Sequence, residues 1–136
     1  MIRTTNLDIF TRAYIETALW SSNDESTPQG GEPMDANYSE KDIHPDTLAQ
    51  MVEDCSKFQE QFYALFSQEG ACLRCGPDYD EIGHAGHDFW LTRNGHGAGF
   101  WDGSWSEDVE SQLTRGAKAF GEFTLYIGDD GLIHGA

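Results

Sequence analysis

Apolar residues recur every three or four positions along three stretches of the chain, and the period shortens in two others. Leu7, Phe10, Tyr14 and Ala18, widened by Ile15 and Leu19, predict a helix from Thr5 to Trp20. Thr5 or Asn6 is the expected cap, with Asp8 near the positive end of the dipole. A longer stripe joins Leu48, Met51, Val52, Cys55, Phe58, Phe62, Leu65 and Phe66. It predicts a second helix opened by Pro45 and Asp46 and stopped by Gly70. Val109, Leu113, Ala117 and Phe120 predict a third, with Ser104 or Ser106 before it. Between the last two stripes, residues 88–93 and 98–101 read as strands joined by a tight turn at Asn94-Gly95-His96-Gly97. Phe123-Thr124-Leu125-Tyr126-Ile127 is a further strand, and Asp130-Gly131 turns it back through Leu132-Ile133-His134. The order is helix, helix, hairpin, helix, hairpin. That order predicts an α+β fold with a small antiparallel sheet packed by helices.

Two polar segments interrupt this pattern. Residues 21–44 hold Pro28, Gly30, Gly31 and Pro33, which exclude a continuous helix. Met34, Tyr38 and Ile43 are spaced anchors within it, so an ordered, wrapped acidic loop is expected. Residues 70–86 read as a second loop. The 136 residues suit a single domain spanning 1–136.

Charge changes the picture more than composition does. The chain carries 24 Asp and Glu against 8 Lys and Arg, a formal net charge of −16. Such a surface repels nucleic acid and anionic membrane and attracts basic proteins. Between Glu16 and Asp54 stand ten acidic residues and one basic residue, Lys41. Asp24, Glu25, Glu32, Asp35, Glu40 and Asp42 all fall in the 21–44 connection and form the candidate acidic face. The first twenty residues show neither an apolar run nor a secretory cleavage site, and no stretch has the length of a membrane span. A cytoplasmic location is expected. Three cysteines, Cys55, Cys72 and Cys75, are too few for a disulfide scaffold.

The segment AGHDFWLTRNGHGAGFWD is the most distinctive in the chain. It resembles the core of a family of small uncharacterised bacteriophage and prophage proteins. YIETALWSSNDE, GEPMDANYSEKDI and AKAFGEFTLYIGDDGLI extend the likeness toward both ends. The resemblance implies a phage or mobile-element origin and action in a bacterial cytoplasm. It implies no particular reaction, and Cys72-Leu73-Arg74-Cys75 departs from the pattern.

Four kinds of chemistry follow from the residues. Cys72, Cys75, His84 and His87 offer a zinc-ligand set, although the histidine spacing is tight and no cofactor is the primary expectation. His87, Asp88, Arg93, His96 and Asp102 offer a small-molecule or nucleotide-related hydrolytic site, without a recognised nucleophile motif. His87, Asp88, Trp90, Arg93, Asn94, His96, Trp101 and Asp102 offer a recognition surface on the expected hairpin. The acidic face offers an imitation of a phosphate backbone. The primary expectation is a non-enzymatic phage protein that binds a basic or nucleic-acid-binding host protein, as a DNA mimic or a host-takeover or counter-defence inhibitor. It is not expected to bind nucleic acid or membrane directly. A minor virion or assembly component is the further alternative.

Overall fold

Asp8 opens the first helix, α1 (Ile9–Ser21), by accepting the Thr11 amide at 2.8 Å. The computed structural model from which this is read describes residues 7–26, 31–74 and 80–136. The expected caps Thr5 and Asn6 lie outside the described residues. After α1 come two short strands, β1 (Asn23–Asp24) and β2 (Glu32–Pro33), paired antiparallel, and two 3-10 turns at Met34–Ala36 and Glu40–Asp42. Met34 and Ile43 are buried, and Tyr38 packs against the core.

The long amphipathic stripe forms α2 (Pro45–Phe66), with proline at its first position and the His44 ring accepting the Asp46 amide at 3.1 Å. Two more helices follow, α3 (Glu81–Arg93) and α4 (Glu107–Lys118). The α4 helix begins after Ser106 and buries Val109, Leu113 and Ala117, as its period requires. The chain closes with β3 (Leu125–Ile127) and β4 (Ile133–Gly135), in register Tyr126 opposite His134. The fold is α+β. Among the described residues, no helix is long and apolar enough to cross a membrane.

The first expected hairpin departs from the pattern reading on both arms, and residues 98–101 lie in the loop after α3 rather than in a strand. Residues 88–93 belong to helix α3, not to a strand, and the loop from residue 70 ends at Asp80 rather than at 86. The order is therefore helix, short ribbon, helix, helix, helix, ribbon. The cause lies in burial: nine of the thirteen α3 residues are buried, from Gly83 to Arg93. A helix enclosed on nearly every side shows no polar face, and Phe89-Trp90-Leu91 then reads like a buried strand. Asn94-Gly95 does turn the chain, but as a helix end. Gly95 takes φ +68°, its amide bonds to the Thr92 carbonyl, and the His96 amide reaches the Leu91 carbonyl. That pair of bonds is a Schellman stop, which needs the same positive φ as a hairpin turn.

Helix α3 packs hardest against α1. A Cβ placed on Gly86 would stand 2.1 Å from the Phe10 carbonyl oxygen, so only glycine admits the crossing. Around it the core is aromatic. Phe58 of α2 stacks on Phe89 at 4.3 Å between ring centroids and lies 5.8 Å from Phe10. Phe100 and Trp105, from the 94–106 loop, are also fully buried in this core.

Candidate functional site

Residues of the aromatic–glycine–histidine segment build two separate hydrogen-bond networks. The first is centred on Asp88, which is 1% exposed. Its Oδ2 accepts the Trp105 indole N–H at 2.7 Å and lies 3.2 Å from His84 Nε2, and its Oδ1 lies 2.9 Å from His87 Nδ1. Burial pushes the Asp88 carboxyl up, but hydrogen bonds from His84, His87 and Trp105 outweigh it and hold the group below the usual range. Asp88 thus ties α3 to the loop carrying Trp105. His87 is partly exposed beside the Trp20 ring, 5.9 Å away.

The second network surrounds Arg93, also buried. One guanidinium nitrogen donates to Asp54 at 2.9 Å and to the Tyr14 hydroxyl at 3.0 Å. The others donate to the Gly121 and Phe120 carbonyls at 2.8 and 3.2 Å. Phe89, Phe120 and Phe123 present their rings to it at 5.5–5.7 Å. Burial pushes the Tyr14 phenol far up, so it stays neutral. Arg93 closes the open end of α3 onto the 119–123 segment.

The expected small-molecule set of His87, Asp88, Arg93, His96 and Asp102 is therefore not one site. Asp88 and Arg93 belong to separate hydrogen-bond networks, and Asp102 accepts the Gly99 amide. Nor do the eight expected recognition residues share a surface, because Asp88, Trp90 and Arg93 are buried. The alternation that would have displayed them belongs to a strand that does not form. Trp101 and Asp102 remain exposed. Of the zinc set, His84 and His87 lie against Asp88, Cys72 is disulfide-bonded, and Cys75 lies outside the described residues. Among the described residues no cluster of His, Cys, Asp and Glu has metal-holding geometry.

The acidic face also divides. Asp24 is buried and accepts both the amide and the hydroxyl of Ser26, bonds that hold its carboxyl below the usual range. Asp42 closes a capping box with Ser39, and Glu32 accepts the Asn37 side chain. Asp35 is exposed and Glu40 half-buried. Asp24 and Asp42 thus stabilise turns, as Asx and capping chemistry leads one to expect.

Glu25 differs. It lines an open cleft of about 370 Å³ together with Trp90, Asn94, His96 and Glu122. Glu25, Asn23 and Leu125 continue into a second cleft of about 190 Å³ bounded by Tyr126. Tyr126 in turn borders a third, of about 410 Å³, with Asp129, Asp130 and His134. The three clefts adjoin through Asn23, Glu25 and Leu125 and then through Tyr126, and together they are referred to as the β1–β3 trough. Four carboxylates line it, and among the described residues no lysine or arginine does. Asn94 builds its floor by accepting the Phe123 amide at 2.8 Å while donating to the Trp90 carbonyl.

Sequence reasoning pointed to Trp90, Asn94, His96 and Glu25, but it missed Glu122, Tyr126, Asp129, Asp130 and His134. One signal was present: alternation in residues 123–127 sets Tyr126 on the face opposite Phe123 and Leu125, so a large ring points outward. No protein-family model, no curated protein and no solved structure matches the chain.

Proposed function

We propose that this chain is a non-enzymatic acidic binding protein that takes a basic segment of a nucleic-acid-binding host protein into the β1–β3 trough. The observation that carries the reading is the trough itself, with Glu25, Glu122, Asp129 and Asp130 along it and no cationic side chain among its described walls. A net charge of −16 adds a long-range field that draws a basic partner in and speeds encounter. The reading also takes up the phage-like motif: an acidic protein made inside a bacterial cytoplasm meets polymerases, nucleases and other proteins built to hold phosphates. Supporting it further, His87 and Asp88 of the motif are engaged with each other, and Asp88 ties α3 to Trp105.

Affinity capture from bacterial lysate, with partners identified by mass spectrometry, tests this. The full chain should retain a nucleic-acid-binding protein at low salt and release it at high salt. A variant with Glu25→Gln, Glu122→Gln and Asp129→Asn should retain much less, and competing duplex DNA should displace the partner. If the variant captures the same partner equally well, the trough is not where it binds.

A further inference from the structure

Tyr126 stands where two clefts of the trough meet, and the residue is 48% exposed. Behind it runs a ladder of rings. Tyr126 stacks on His134, directly opposite in register, at 5.6 Å and 20°. His134 stacks on His44, before α2, at 4.8 Å and 29°. The ladder is held in place from below. His134 Nε2 meets both oxygens of Asp130 at 3.0 Å, and a Cβ on Gly128 would strike the His134 ring at 2.6 Å. Each of the two clefts that Tyr126 lines also holds an exposed carboxylate, Glu25 in one and Asp129 in the other.

Resting on the acidic-trough reading, we propose that Tyr126 anchors an arginine side chain of the partner. The guanidinium continues the ladder by stacking on the Tyr126 ring and donates to Glu25 or Asp129. Arginine fits better than lysine for a physical reason. Its cation is planar, weakly hydrated and forked, so it stacks on a ring and hydrogen-bonds a carboxylate at once. An ammonium is a compact, strongly hydrated point charge that gains less from the ring face. Aspartates alone would hold either cation; the exposed ring makes the site selective.

The test uses the full chain and three octapeptides in which glycine alternates with arginine, with lysine, or with neutral citrulline. Dissociation constants come from NMR titration at low ionic strength, following the Tyr126 ring protons. The arginine peptide should bind about three- to five-fold tighter than the lysine peptide, the gain expected of an exposed cation–π contact. The citrulline peptide should bind far more weakly than both. Tyr126→Leu should abolish the arginine preference, and Tyr126→Phe should keep it. If arginine and lysine peptides bind the native chain equally, the Tyr126 anchor is overturned while the acidic trough stands. If citrulline binds as well as arginine, or no cationic peptide binds, both readings fall. Because the peptide comparison is made on the native chain, the outcome does not depend on any variant folding.

Discussion

Replacing Gly86 by alanine puts a methyl group where α1 and α3 cross. The new carbon would lie 2.1 Å from the Phe10 carbonyl oxygen and 3.0 Å from its carbon, both backbone atoms. Ordinary carbon contacts sit at about 3.5–4.0 Å, so the helices must part by roughly 1 Å. Parting them opens the packing of Phe10 and Tyr14 on Phe89, whose rings lie 5.9 and 5.3 Å apart. Overpacking of this kind costs about 1–3 kcal/mol, and a backbone obstruction belongs at the upper end. Alanine returns less than about 1 kcal/mol through helix propensity. The expected net loss is about 2 kcal/mol, read as a fall of roughly 1 M in the urea midpoint. Gly83, three residues earlier in the same helix, is the internal control. Its added carbon would meet Asp80 Oδ1 at 3.4 Å and Ile9 Cγ2 at 3.6 Å, ordinary contacts. Gly83→Ala should therefore leave stability unchanged or raise it by about 0.5 kcal/mol. Equal effects of the two substitutions in urea denaturation would refute the close α1–α3 crossing and the helical assignment of α3.

Two further outcomes follow from the buried charges. Arg93→Lys should cost about 3 kcal/mol, because an ammonium cannot reach Asp54, Gly121 and Phe120 together and leaves a buried carboxylate poorly matched. Urea denaturation showing a change under about 0.5 kcal/mol would contradict the network, since surface substitutions have effects of that size. The Asp88 carboxyl is held low in the folded state, so it contributes stability that is complete above the ordinary aspartate range and is lost as pH falls through its lowered value. Asp88→Asn should flatten that part of the acid-unfolding profile while lowering stability at neutral pH; an unchanged profile would assign the acid sensitivity elsewhere.

How much of this was legible in the residues depends on whether an element keeps one face in water. The α2 and α4 stripes are amphipathic, and their starts follow from Pro45 and Ser106, while α2 ends at Phe66, short of the expected stop at Gly70. The β3–β4 ribbon follows from alternation and from Asp130-Gly131. Helix α3 was illegible because tertiary enclosure erased its period, and Asn94-Gly95 serves a helix stop as readily as a hairpin. The site was legible in part for the same reason. Glu25, Asn94 and His96 drew notice through local composition, but their meeting with Glu122 and Tyr126 depends on the C-terminal ribbon lying beside β1. That is a long-range contact, and no local pattern encodes it. Asp24 and Asp42 were over-read as surface charge because their short side chains serve neighbouring amides.

The central claim is that the trough, rather than net charge in general, engages a basic partner. The most direct measurement compares two variants that remove the same charge. One carries Glu25→Gln, Glu122→Gln and Asp129→Asn; the other carries Glu60→Gln, Glu69→Gln and Glu107→Gln, exposed residues that line no part of the trough. Affinity for the alternating arginine–glycine octapeptide is measured at a series of salt concentrations. The trough variant should bind at least about ten-fold more weakly and with a shallower salt dependence, while the control stays within about two-fold of the native chain. Equal weakening of the two would assign the binding to overall charge and contradict the account.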